Sequence, residues 1–218
     1  MTRPTTLLLI RHGETAWNAE GRIQGQLDVP LSARGVWQAG RLAQRLADES
    51  IDAVISSNLS RARLTAEPLA QALRLPVTVE PRLGERHFGR FQGHTPDEIA
   101  VRWPEDFQRW RQRDPDWPIP EGESGAVFGA RVRAALADLC VRHAGGCVAV
   151  VAHGGTLDVA YREAMALAWD APRRHVMLNA SVNRLRAEGQ PPRLALIDWG
   201  DVGHLDDVQG ARDELAGG

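Results

Sequence analysis

Arg11 and His12 close the run TTLLLIRHGET at residues 5–15, and with Gly13 they form a group able to bind and attack an anion. Arginine is a permanent cation with a planar donor fork, imidazole is a nitrogen nucleophile at neutral pH, and glycine lets backbone approach a ligand closely. Residues 148–156, VAVVAHGGT, repeat the design: an apolar run ends in His153, followed by Gly154, Gly155 and Thr156. One histidine in a loop reads as a structural residue. Two strand-end His-Gly pairs in one modest chain point to a shared pocket. Arg61 and Glu85 fall just past two further strand-like runs, 51–57 and 77–80. Cations, imidazoles and one carboxyl acid gathered at strand ends are the inventory of phosphoryl transfer, where a protein positions the group and neutralises its equatorial oxygens.

Those side chains need a scaffold whose strand ends converge. Residues 5–10 and 148–152 are apolar without polar alternation, as expected of strands buried on both faces of a parallel sheet. Ligands of such sheets bind beyond the carboxyl ends of the strands. If these two strands run side by side, about 4.8 Å apart, His12 and His153 meet. Helical spacing predicts a helix over 33–48 behind Ser32 as N-cap, with Val36, Ala39, Leu42, Ala43 and Leu46 inward. Further helices are predicted over 59–73, from Ser124 to about 143, and over 157–168, with last strands at 182–187 and 193–199. Between 82 and 122 the pattern changes to Trp103, Trp110 and Trp117 among several prolines, which suits a lid of short helices. The expected fold is α/β: a three-layer sandwich with a mostly parallel central sheet, helices on both faces and a small helical cap insertion. One domain over 1–218 is expected, its tail from Gly200 polar, acidic and loosely held.

Composition narrows the classes. A formal net charge of −2 over 218 residues argues against a nucleic-acid or membrane-surface protein. No apolar run approaches the roughly 20 residues needed to cross a bilayer, and the N-terminus lacks a secretion signal. Cys140 and Cys147 show no CxxC or zinc-ligand spacing and read as reduced, which places the protein in the cytoplasm. The chain contains no lysine, so a Schiff base and a P-loop lysine are excluded. Any anion clamp must use arginine, histidine and backbone N–H groups. No metal site and no cofactor are expected, because no cluster has metal-ligand spacing. His87, His94, His143, His175 and His204 are assigned structural or surface roles.

RHGET, IQGQLDVPLS, SSNLSRARLTAE, GERHFGRFQG, IPEGES and VAHGGT occur in that order over nearly the whole chain. In this the sequence resembles the histidine phosphatase superfamily of phosphoglycerate-mutase-like proteins. The resemblance implies that His12 is the nucleophile and becomes phosphohistidine. It also implies that Arg11, Arg61 and His153 complete the phosphate pocket, with Asn18 as a further contact. Glu85 would be the proton donor and acceptor, and Gln24 and Gly25 would line the substrate mouth. Gly154 would open a helix whose N–H groups favour an anion. Physical chemistry agrees with these roles: a carboxyl beside a phosphate dianion holds its proton harder, which suits protonation of a leaving alkoxide.

Substrate is less determined. Mutases of this family typically carry tyrosine where Phe88 stands, lysine where Pro96 stands, and a small residue where Gln24 stands. Glu85-Arg86-His87, by contrast, is mutase-like, and Trp110, Arg111 and Arg113 loosely echo a mutase segment. The expected function is metal-independent hydrolysis of a small phosphorylated metabolite, with cofactor-dependent phosphoglycerate mutase as the alternative. A non-catalytic phospho-ligand binder is a third reading, against which the intact set of Arg11, His12, Arg61, Glu85 and His153 weighs. The expected partner is that small substrate, with no nucleic acid and no membrane; assembly into a homo-oligomer is compatible with the sequence.

Overall fold

The computed structural model describes residues 3–205. Strand β1 (Thr5–Arg11) buries Leu7, Leu8, Leu9 and Ile10 completely. Alternate side chains of a strand face opposite sides, so β1 feeds two cores. Leu7 and Leu9 join Phe128, Val132, Leu136 and Leu157 on one face; Leu8 and Ile10 join Leu42, Leu46, Ala66 and Leu69 on the other. Each such burial contributes about 1.5–3 kcal/mol.

The chain continues as α1 (Ala16–Ala19), α2 (Ala33–Leu46), β2 (Ala53–Ser56), α3 (Ser60–Leu73) and β3 (Val77–Val79). Next come α4 (Pro96–Arg102), α5 (Pro104–Arg111), α6 (Gly125–Arg142), β4 (Cys147–Ala152), α7 (Gly154–Ala164), β5 (Val182–Glu188) and β6 (Arg193–Asp201). The sheet order is β3-β2-β4-β1-β5-β6. The first four strands are parallel; β5 runs antiparallel to β1, and β6 antiparallel to β5. Helices α2 and α3 cover one face and α6 and α7 the other, giving three layers. Ser32 and Ser124 cap α2 and α6 as their positions predict, accepting from the N–H groups of Gly35 and Val127. Helices α4 and α5 carry their own small core of Phe91, Ile99 and Ile119, flanked by Trp103, Trp110 and Trp117.

Three expectations need correction. Val36 is 59% exposed rather than inward. The rotation of α2 is set by Gly35, where a Cβ would stand 2.0 Å from the Glu14 carbonyl oxygen; that close approach turns Gly35, Gln38 and Ala39 inward and Val36 out. Helix α7 begins at Gly154 and ends at Ala164, short of the expected 168, where Ala166 takes a positive φ. The tail is not loose from Gly200: His204 and Leu205 are buried, and Arg41 donates to the His204 carbonyl at 2.9 Å. The remainder of that expectation, 206–218, lies outside the described residues.

The packing at Gly35 generates a paired prediction. Gly35→Ala forces α2 away from the loop after β1 and should destabilise by about 1–3 kcal/mol. Gly40→Ala, in the same helix with open space around the new methyl group, should stabilise by about 0.5–1 kcal/mol. Urea midpoints moving in opposite directions would bear this out.

Candidate active site

Parallel pairing of β1 with β4 sets Arg11 opposite Ala152, and the His12 N–H donates to the Ala152 carbonyl at 2.9 Å. The His12 and His153 rings thereby stand 5.2 Å apart, both buried. His12 Nδ1 lies 2.7 Å from the Gly13 carbonyl oxygen. A carbonyl only accepts, so Nδ1 carries the hydrogen and Nε2 keeps its lone pair. His153 is oriented by Ser57, a residue that sequence reasoning did not single out. Ser57 Oγ accepts from the Leu59 N–H at 3.2 Å and lies 2.6 Å from His153 Nε2. With the Ser57 hydroxyl donating, His153 carries its hydrogen on Nδ1, which has no partner among the described residues. Burial first, then the charges of Arg61 and Arg11, hold His12 well below the usual imidazole range. Burial and Arg61 do the same to His153. Both rings are neutral at pH 7.

Arg61, in the first turn of α3, is 1% exposed. Its guanidinium donates to the carbonyls of Leu27 at 2.8 Å and Gly25 at 2.7 Å. Burial pulls its pKa down to about 10, which leaves it charged at neutral pH. Arg11 gives Nη1 to the Met177 carbonyl. The loop that begins there also braces the backbone at the end of β1: Asn179 Nδ2 donates to the His12 carbonyl at 2.9 Å and the Ala180 N–H to that of Arg11 at 3.0 Å. Asn179 was likewise not foreseen. Neither it nor Ser57 lies in a pattern that chemistry alone singles out. Asn18 uses its Oδ1 to cap α1 through the Thr15 N–H at 3.1 Å, leaving its amide NH2 for a ligand.

Glu85 sits after a 3-10 turn at Pro81–Leu83 that follows β3. Its Oε2 accepts from the Gly155 N–H at 3.0 Å and its Oε1 from the Arg86 N–H at 2.7 Å. A Cβ on Gly155 would meet Oε1 at 2.3 Å, so α7 must begin with glycine here for the carboxylate to dock. Arg131 fixes this loop from behind, donating to the carbonyls of Arg82, Gly84 and Glu85 within 2.8 Å while pairing with Glu123. The anion expected at the start of α7 is therefore met in part by Glu85 itself.

A cavity of about 180 Å³ is lined by Arg11, His12, Asn18, Gln24, Gly25, Arg61, Glu85 and Gly154. His153 lies against His12 beneath that surface. Gln24 is buried, and its Oε1 has no partner among the described residues. The cap adds Phe88, Pro96, Trp110 and Trp117 to the wall, and Trp17 and Trp169 also line it. Among the described residues no three His, Cys, Asp or Glu side chains gather as a metal-ligand set would, and no helix is long and apolar enough to cross a membrane.

An α/β sheet with this constellation at its strand ends is the framework of a phosphoryl-transfer enzyme. The family model of the histidine phosphatase superfamily (branch 1) matches residues 7–200, and the chain belongs to that family. It is 39% identical over 216 residues to a probable phosphoglycerate mutase GpmB of Serratia proteamaculans, covering 95% of this chain and 97% of that one. It is also 39% identical over 207 residues to a metal-independent phosphoserine phosphatase of Arabidopsis thaliana, covering 94% and 84%. Among solved structures, a mycobacterial glucosyl-3-phosphoglycerate phosphatase complexed with VO3 superposes with a TM-score of 0.79 at 34% identity, over 89% of this chain and 98% of that one.

The depressed histidines predict how stability varies with pH. Below about pH 6.5 the unfolded chain protonates His12 and His153 while the folded chain does not, so stability falls as pH falls. Each contributes a slope of up to about 1.4 kcal/mol per pH unit. Urea midpoints of the ligand-free protein at pH 7.5, 6.5 and 5.5 should decline, and His12→Asn should flatten the decline. An unchanged slope in that variant would mean that His12 protonates in the folded protein as readily as in the unfolded.

Proposed function

We propose that this chain hydrolyses phosphomonoesters of small metabolites, without a metal, through a phosphohistidine on His12. The observation that carries the reading is the His12 tautomer: Nδ1–H is committed to Gly13, and Nε2 is unprotonated beside Arg11 and Arg61. In this mechanism Arg11, Arg61, Asn18 and the His153 Nδ1–H bind the equatorial oxygens of the phosphoryl group. His12 Nε2 attacks phosphorus, the ester P–O bond breaks, and Glu85 gives its proton to the departing alkoxide. Water then attacks the phosphohistidine and loses its proton to Glu85, and inorganic phosphate leaves as the P–N bond breaks.

Relatives carry both mutase and phosphatase names, and the wall of the cavity favours hydrolysis. Phe88 and Pro96 line it where the family's mutases place a tyrosine hydroxyl and a lysine charge. A mutase must shield its phosphoenzyme from water while the product reorients. Those two apolar groups offer less to hold that product.

Quenching with labelled substrate in EDTA should trap a phosphoenzyme that survives base and is lost in acid, while phosphate release keeps pace with ester loss. His12→Ala should abolish the label and lower turnover by at least about 1,000-fold. Label retained in that variant would falsify the assignment. Isomerisation of 3-phosphoglycerate far outpacing phosphate release would instead make the enzyme a mutase.

Glu85 is tested through the leaving group. Glu85→Gln should slow hydrolysis of alkyl phosphates much more than that of p-nitrophenyl phosphate, whose phenolate leaves without a proton. Equal losses on both would assign Glu85 a structural role.

A further inference from the structure

Four of the rings that line the cavity form two pairs, each locked by edge-to-face packing. Phe88 and Trp110 meet at 6.4 Å with their planes at 88°, on the side of the cap. Phe128 of α6 and Trp169, in the segment between α7 and β5, meet at 6.4 Å with their planes at 80°. Trp169 is seated on the start of α6: a Cβ on Gly125 would stand 2.6 Å from its Nε1 and Cζ2. Glycine is what lets the indole lie there. Phe128 in turn borders the carboxyl of Glu85. A Cβ on Gly155 would lie 3.0 Å from Phe128 Cζ and would also overlap Glu85 Oε1. Glu85, Phe128 and Trp169 therefore follow one another along one wall.

Phe128 is buried behind Trp169, whereas Trp169, Trp110 and Phe88 are each partly exposed. A partly exposed ring on a cavity wall gains when an apolar group covers it. The charged side chains of the same wall hold partners of their own. Arg22 pairs with Glu98 at 2.8 Å and Arg173 with Asp158 at 3.5 Å, while Arg113 donates to the Ala171 carbonyl at 3.2 Å. An ester oxygen within reach of Glu85 would have Phe128 and Trp169 as the next surfaces for its carbon skeleton.

We propose that Trp169, held on Gly125 and backed by Phe128, is a specificity-determining residue that packs against the leaving alcohol. It selects phosphomonoesters with an apolar carbon body over those of short polar alcohols. The direction of the leaving group rests on the acid role of Glu85 in the hydrolytic reading, but binding requires no turnover. In the His12→Ala variant, calorimetric titration compares ethyl, butyl and hexyl phosphate, which carry the same charge and differ only in methylenes. Affinity should rise about 2- to 4-fold per added methylene. Adding Trp169→Ala should leave ethyl phosphate within about 2-fold and weaken hexyl phosphate at least about 5-fold. Trp169→Phe should retain most of the rise. Gly125→Ala, which displaces the indole, should reproduce the loss, and adding it to Trp169→Ala should cause no further loss. A flat series overturns the assignment, as does equal weakening of ethyl and hexyl phosphate by Trp169→Ala. A Gly125→Ala loss that adds to that of Trp169→Ala overturns the seating of the ring. Wild-type protein that binds the series as expected but releases phosphate from none of the esters would count against the hydrolytic reading alone.

Discussion

Everything chemical in this molecule hangs on the register between β1 and β4. Their pairing puts Arg11 beside Ala152 and so leaves His12 and His153 as the first residues beyond two adjacent strand ends. A slip by one residue would turn Leu7 and Leu9 toward the face of Leu8 and Ile10, exchanging the two cores and separating the imidazoles. The register is secure because both faces of β1 are buried. The apolar packing that stabilises the sheet is also what aligns the two histidines.

Burial at this point has an electrostatic consequence. Two imidazoles and the guanidiniums of Arg11 and Arg61 are all nearly or fully withdrawn from water. The histidines respond by staying neutral, while Arg61 stays charged, the charges of Glu85 and Asp28 opposing the effect of its burial. The carbonyls of Leu27 and Gly25 that receive its hydrogens do not neutralise it. In the function proposed above, a phosphate dianion would meet these donors with little reorganisation.

Glu85 shows how the periphery serves the centre. Its loop is irregular, yet Arg131 from α6 holds the carbonyls of Arg82, Gly84 and Glu85, and the start of α7 accepts the carboxylate because residue 155 lacks a side chain. The aromatic core of α4 and α5 brings Trp110 to the cavity wall and packs separately from the two cores that flank the sheet.

Much of this was legible in the residues alone. Unbroken apolar runs ending in His-Gly announced buried parallel strands with ligand loops, and Arg11, Arg61, Glu85 and Gly154 do meet His12 at one cavity. Ser32 and Ser124 marked helix starts because their hydroxyls must accept orphaned N–H groups. The rest depended on distances between segments remote in sequence. Ser57 and Asn179 carry ordinary side chains whose roles arise only from facing His153 Nε2 and the His12 carbonyl. The tautomers of both histidines follow from those contacts, and the outward turn of Val36 follows from the contact between Gly35 and Glu14. Periodicity records which residues prefer to leave water, and it determined the strands and helices. Hydrogen-bond direction and helix rotation depend on what stands opposite, and only the tertiary structure decided them.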